Sequence, residues 1–322
     1  MNKSKLITSK RILQLNLQRY AIGFILIAMI IGMSLVSPVF RTSGNAINIL
    51  LQVSSNGILA IGMLFVMVTG GIDLSIGSSI ALTSVVLGKM LTDVAPGNLW
   101  IGIMAAVAVT VLFGSLNGFM ISKYNMFPFV VTLATQLVIR GAAYIVGQGA
   151  SVTLVSPKLR AIGTGKAFGT VPYPVIIFLV IAFIAYILLH KTRFGRYVYA
   201  IGGNRLSAIS SGINVFRVQM AAYIIMGICA GIAGIITTSR ISAAQPNIGI
   251  GYETDAIAAC VIGGTSFSGG IGNVSGTMIG ILMIGVIYNS MNLLQISSYW
   301  QTVTKGVLIL VAVLLDLLMN KK

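Results

Sequence analysis

Apolar runs long enough to cross a bilayer recur along this chain, and one stretch, SAAQPNIGIGYETDAIAACVIGGTSFSGGIGNVSGTMIG at 242–280, breaks the pattern. It sets Glu253 and Asp255, two of only five acidic residues in the protein, beside a run of glycines. In hydrocarbon every unpaired N–H or C=O is costly, so irregular backbone is tolerated only where it is buried in protein or lines a wet cavity. The stretch therefore predicts a re-entrant segment that forms part of a transport path.

Composition fixes the environment. A mean hydropathy of +0.98, with 57% apolar and 8% charged residues, is too hydrophobic for a water-soluble domain and places the chain in a bilayer. Taking about 20 apolar residues per span, the runs fall at 20–39, 46–69, 74–90, 99–122, 127–146, 173–189, 218–238, 254–264, 274–293 and 299–318. The fold class is thus all-α and polytopic, with about ten transmembrane helices. The eighth run is too short to cross alone, so its neighbour 239–253 reads as re-entrant or partly helical. The first run follows Lys3, Lys5, Lys10, Arg11 and Arg19 and lacks a small-residue cleavage site, which favours an uncleaved first span over a signal peptide. The 37 glycines suit close helix packing, and Gly114/Gly118, Gly227/Gly231 and Gly276/Gly280 have the GxxxG spacing for it.

Charge placement sets orientation. With the N-terminus inside, Lys123, Lys191, Arg193, Arg196, Arg205, Arg217, Lys321 and Lys322 join the N-terminal charges on the cytoplasmic side. Arg41, Lys89, Lys158, Arg160, Lys166 and Arg240 are left outside. The bias follows the positive-inside rule and puts both termini in the cytoplasm. The organisation is then a cytoplasmic N-terminal segment 1–19, one membrane domain 20–318 with a cytoplasmic loop 190–217, and a cytoplasmic tail 319–322. The net charge of +16 would point to nucleic acid in a soluble protein; here no basic face with interleaved aromatics exists, and no nucleic-acid partner is expected.

Several chemistries are excluded. Cys229 and Cys260 lie apart in apolar runs and read as inert core thiols. No P-loop is present: Gly163-Thr164-Gly165-Lys166 is followed by Ala167, so the chain does not hydrolyse ATP by that route. The single histidine, His190, sits at a span end without a catalytic companion, and no metal-ligand spacing occurs. No catalytic residue, metal or cofactor is expected on this chain.

The loop 190–217 has internal order. Asn204 can cap a short helix and Gly212 can end it in a left-handed conformation. Leu206, Ile209 and Ile213 recur at three to four residues, giving a small apolar face on about two turns. So short a helix is marginal alone and needs something to lie against, either a groove in a cytoplasmic protein or lipid headgroups.

Charge within the apolar runs is rare and usually functional. Arg140 either snorkels outward or pairs with a carboxylate or carbonyls. Lys305 is nearer the outer end of its span and is expected to snorkel. Asp73, after two glycines at a span junction, serves a helix N-terminus or gates a path. Glu253 and Asp255, with Arg240 near in sequence and Gln245 between, read as an ion pair ordering the re-entrant backbone or as an outer gate. Asn56, Asn117, Gln136, Asn289 and Asn292, together with Ser54 and Ser55, are available either to a pathway or to interhelical hydrogen bonds.

Three groups of residues carry a family likeness. They are Gly70-Gly71-Ile72-Asp73-Leu74-Ser75; Ala200-Ile201-Gly202-Gly203-Asn204 with Ser211-Gly212-Ile213-Asn214-Val215; and Gln245-Pro246 with Gly251-Tyr252-Glu253, Asp255-Ala256-Ile257-Ala258-Ala259, Ile262-Gly263-Gly264-Thr265-Ser266 and Gly276-Thr277. In this order they resemble the ribose-type sugar ABC transporter permeases, over nearly the whole chain. The resemblance implies the membrane subunit of an ATP-driven importer in a bacterial inner membrane. Its partners would be a second permease copy, cytoplasmic ATPase subunits that bind ATP and Mg, and an extracytoplasmic sugar-binding protein. It also implies a fold similar to the membrane domain of the vitamin B12 importer. The segment with Gly202, Asn204, Arg205, Leu206, Ala208, Ile209, Ser211, Gly212 and Ile213 would be the helix that couples to the ATPase. Family members usually have an acidic residue where this chain has Arg205. The competing reading is an ion-coupled secondary carrier with Asp73, Glu253 or Asp255 as its ion site.

Overall fold

A computed structural model describes residues 23–154 and 156–320. The N-terminal charges, the start of the first run and the final Lys321 and Lys322 lie outside the described residues. The described residues are mostly helical. In order it forms α1 (Gly23–Val36), a 3-10 turn, α2 (Ser43–Val68), α3 (Ile76–Lys89), α4 (Leu99–Tyr124), α5 (Pro128–Val146), α6 (Pro157–Thr164) and α7 (Tyr173–Lys191). Then come α8 (Arg193–Gly203), α9 (Arg205–Ser210), α10 (Val215–Ile241), α11 (Tyr252–Ile262), α12 (Val274–Leu293) and α13 (Ser298–Asn320). Four two-residue strands, β1 (Val152–Thr153), β2 (Lys166–Ala167), β3 (Val171–Pro172) and β4 (Ala243–Ala244), pair antiparallel as β1 with β4 and β2 with β3.

Helix starts follow local chemistry. Thr42, Asn98, Asn214 and Asn273 each accept a hydrogen bond from a backbone N–H of the first turn of α2, α4, α10 and α12, satisfying a donor that the helix itself leaves free.

Among the described residues six helices are long and apolar enough to cross a membrane: α2, α4, α5, α7, α10 and α12. They divide into two layers. The apolar stretches of α2, α10 and α12 are 78%, 67% and 67% buried, whereas those of α4, α5 and α7 are 28–33% buried and present most of their surface outward. Lipid supplies little drive for helix association, so contact depends on close backbone approach. Gly114 and Gly118 of α4 face Tyr223, Gly227 and Met220 of α10, while Gly227 and Gly231 face Thr110 and Val107 of α4. Two GxxxG motifs thus interlock across one contact. The third, Gly276 and Gly280 of α12, lies against Gly263 and Ala259 at the end of α11.

Two helices stop short. At about 1.5 Å per residue the 14 residues of α3 and the 11 of α11 reach about 21 and about 16 Å, against an apolar core of about 30 Å. The chain between α10 and α11 runs beside α3. Gln245 N–H donates to Ser84 Oγ at 3.1 Å, Gly88 faces Ala244, and Gly249 meets Gly77 and Ile80. β1 pins the start of this limb, with Val152 opposite Ala244 and Thr153 opposite Ala243.

Candidate functional site

At one end of the bundle, α8 and α9 form a compact pair. Thr192 caps α8 by accepting from Gly195 N–H at 3.3 Å, and Asn204 caps α9 by accepting from Ser207 N–H at 2.9 Å. The exit of α9 is equally defined. Gly212 adopts φ +77°, its N–H reaches Ile209 O at 2.9 Å, and Ile213 N–H reaches Ala208 O at 3.0 Å, which satisfies the last carbonyls in the manner of a left-handed helix cap. Arg205 Nη1 donates to Gln219 Oε1 on α10 at 2.9 Å, tying the helix down. What remains outward is apolar: Leu206 is 77% and Ile209 52% exposed. Ala208, on the opposite face, is only 3% exposed and packs inward. Beside α9 a cavity of about 540 Å³ is lined by Asn125, Phe127, Asn204, Arg205 and Gln219 among others.

The two breaks in the bundle, between α2 and α3 and between α11 and α12, have different chemistry. In the first, Asp73 is buried, and its Oδ1 accepts from Ser75 N–H at 2.9 Å and Ser75 Oγ–H at 2.6 Å, just ahead of α3. Asn117 Nδ2 donates to Ser75 Oγ at 3.1 Å, so α4 joins the same cluster. The second break is glycine-rich and lies against the first, with Gly270 N–H donating to Val68 O at 2.9 Å.

Further charged side chains gather at the start of α11. Asp255 Oδ1 lies 2.8 Å from Lys305 Nζ of α13 and accepts from Tyr288 Oη–H of α12 at 3.0 Å. Lys305 also donates to Gly251 O at 3.1 Å. Glu253 Oε1 accepts from Gly251 N–H at 3.2 Å, and its Oε2 is buried without a hydrogen-bond partner. Arg140 Nη1 donates to Pro246 O at 2.8 Å and Ile248 O at 2.9 Å, fixing the limb that leads into α11.

These contacts correct two expectations. Lys305 does not snorkel outward; its ammonium lies 5.7 Å from the centroid of the Tyr288 ring and 2.8 Å from the buried Asp255 carboxylate. Arg240 is not the partner of Glu253 or Asp255, because its guanidinium donates to Leu51 O at 3.1 Å. Of the polar residues considered for a pathway, Asp73 and Asn117 meet through Ser75, while the rest do not converge. Asn289 and Asn45 exchange amide hydrogen bonds at 2.8 and 3.0 Å. Asn292 Oδ1 accepts from Gln301 Nε2 at 2.7 Å. Asn56 lines a narrow crevice with Ile281, Ile284 and Tyr288, and Gln136 is half-buried on α5. Sequence reading missed Tyr199, Tyr223, Tyr288, Asn45 and Gln219. The signal for Tyr223 and Tyr288 was present: a phenol in an apolar helix must bring its hydroxyl to a partner.

At the bundle end opposite α8 and α9, α6 exposes Lys158 and Arg160, and the β2–β3 hairpin exposes Lys166 and Phe168. Lys89 is not a free positive charge there. Its ammonium lies 2.5 Å from Asp93, and that hydrogen bond holds the Asp93 carboxyl below its ordinary value.

Outward-facing apolar helices packed on the more buried α2, α10 and α12, with two backbone breaks joined to each other inside the bundle, define a polytopic membrane protein of the transporter class. Comparison with known proteins narrows this. The family described as "Branched-chain amino acid transport system / permease component" matches residues 45–313, and the chain belongs to it. The ribose import permease protein RbsC of Bacillus subtilis (strain 168) is 44% identical over 294 residues, 90% of each chain. The D-allose transport system permease protein AlsC of Escherichia coli (strain K12) is 38% identical, covering 94% of this chain and 93% of its own. The L-arabinose transport system permease protein AraH of the same strain is 38% identical over 92% and 90%. No solved structure matches the chain.

Proposed function

We propose that this chain is the membrane-spanning permease subunit of an ATP-driven importer for ribose or a related monosaccharide. Two copies form the path between them, a cytoplasmic ATPase binds ATP and Mg and grips α9, and an extracytoplasmic sugar-binding protein delivers the substrate. The relatives named for ribose, allose and arabinose transport support the substrate class. Counting α1, α13 and the half-length α3 and α11 as further membrane segments beside the six long helices would give the ten that a fold similar to the vitamin B12 importer's membrane domain calls for. Placing α9 inside puts both termini in the cytoplasm of a bacterial cell and the Lys158–Arg160–Lys166 face outside. There the exposed cations and Phe168 suit an acidic docking surface with an apolar contact at its centre.

One observation carries the proposal: Leu206 and Ile209 stand exposed on a helix that is fixed at both ends and tied to α10. A rigid mount for an apolar pair has a use if a partner pushes on it. The test is uptake by proteoliposomes holding the chain with its ATPase and binding protein. Accumulation that requires ATP and the ATPase supports the proposal. Accumulation by this chain alone, driven by a proton or sodium gradient, overturns it in favour of a secondary carrier. The sugar is identified by the ligand that raises the melting temperature of the binding protein.

A further inference from the structure

Three pieces of chain remote in sequence meet backbone to backbone beside α9. The end of α2 and the break after it supply Val68 and Gly70, the break between α11 and α12 supplies Gly269, Gly270 and Gly272, and the last turn of α8 supplies Gly202 and Gly203. Gly270 N–H bonds Val68 O at 2.9 Å, joining one break to the other. A Cβ at Gly202 would run into that same carbonyl and into the Gly270 nitrogen, and one at Gly269 would come within 3.0 Å of Gly70 and Gly202. Tyr199, on the same face of α8 one turn before Gly202, donates its phenol proton to Gly272 O at 2.6 Å. From the other side Tyr223 of α10 donates to Ile72 O at 3.1 Å.

We infer that this junction passes the displacement of α9 into the membrane, and that Tyr199 and Gly202 are positioning residues that make both breaks move together. The inference rests on the reading of α9 as the ATPase contact. Its physical basis is stiffness. A contact made through long side chains can yield by changing rotamers, whereas close-packed backbone transmits strain. Here the last turn of α8 touches the end of α2 and the loop leading into α12 with nothing compliant between. Asn204 joins α8 directly to α9, and Arg205 ties α9 to α10, whose Tyr223 holds the first break. A push on Leu206 and Ile209 therefore reaches the end of α2, the most buried of the six long helices, and the end of α11 at once. Because α11 carries Glu253 and Asp255 at its far end, the same movement is delivered to the buried charges. Neither break can shift alone while the Gly270–Val68 and Tyr199–Gly272 bonds persist.

The test uses the full complex of permease, ATPase and binding protein in lipid. Tyr199→Phe removes one oxygen and leaves the ring in place. It is expected to leave complex assembly and basal ATP hydrolysis unchanged, while lowering sugar imported per ATP about three- to tenfold, the factor that one hydrogen bond represents. A purely structural bond would lower thermal stability without moving that ratio. Gly202→Ala, read on uptake by the assembled complex, is expected to have the larger effect; if it fails to assemble, Tyr199→Phe decides alone. A normal ratio of sugar to ATP in Tyr199→Phe overturns the inference. The underlying reading of α9 fails separately: it falls if Leu206→Glu with Ile209→Glu leaves ATPase binding intact.

Discussion

The ammonium of Lys305 lies 2.8 Å from Asp255 Oδ1, and through this pair α13 holds the first turn of the half-length α11. The carboxylate is 4% exposed and has a second donor in Tyr288, while Lys305 also holds the Gly251 carbonyl. Removing one member strands the other as an uncompensated buried charge, whereas replacing both by apolar groups is often close to neutral. Lys305→Met is therefore expected to destabilise the protein by about 3–5 kcal/mol. Lys305→Met with Asp255→Leu should recover most of that loss. Thermal unfolding of the detergent-purified protein measures both; a single variant as stable as the parent would show that the pair does not hold α11.

At α9 the direction in which each side chain points separates two outcomes. Leu206→Glu and Ile209→Glu alter exposed positions, so they should leave folding intact and abolish co-purification with the ATPase. Ala208→Glu instead forces a carboxylate into a contact where Ala208 is only 3% exposed, and an unpaired buried charge there should lower yield and thermal stability. Equal behaviour of the three variants in pull-down and in unfolding would contradict the assignment of faces.

Much of this architecture was legible in the chain itself, because each legible feature depends on a local rule. Apolar run length placed the six long helices, Asn204 and Gly212 marked the ends of α9, and the glycine-rich stretch marked the short α11. The three GxxxG spacings announced close contacts but not their partners. That two of them interlock across α4 and α10 depends on tertiary packing. The partners of the charges were illegible for the same reason. Lys305 lies far from Asp255 in sequence, and a lysine near a span end reads equally well as snorkelling. Arg240, nearer to Asp255 in sequence, turned out to serve Leu51. The junction of the two breaks had no signature beyond its glycines.

Arg140 gives a test of the limb before α11. Its two part-buried bonds to Pro246 O and Ile248 O are lost if the guanidinium is removed, at about 0.5–1.5 kcal/mol for each. Arg140→Met should loosen the limb 242–251 locally more than it destabilises the whole. Labelling of a cysteine placed at Gln245 by a water-soluble thiol reagent is expected to quicken in Arg140→Met. An unchanged rate would mean that β1 and Ser84 hold the limb without Arg140.

Asn289 separates packing from passage. Its amide exchanges two hydrogen bonds with Asn45, at 2.8 and 3.0 Å, and both residues are buried between α2 and α12. If this pair is interhelical glue, Asn45→Leu alone strands the Asn289 amide, and the double variant Asn45→Leu with Asn289→Leu removes the conflict. Such a cycle should give a coupling energy of about 0.6 kcal/mol, with about 1.7 as the upper end for interhelical bonds in membranes. The sign matters more than the size, since the double variant should be more stable than the sum of the singles predicts. Uptake then decides the role. A contact with the travelling sugar would leave the double variant folded but impaired in transport, because leucine cannot hydrogen-bond a hydroxyl. With the two amides bonded to each other, uptake by the double variant is expected to follow its stability and to stay near that of the parent.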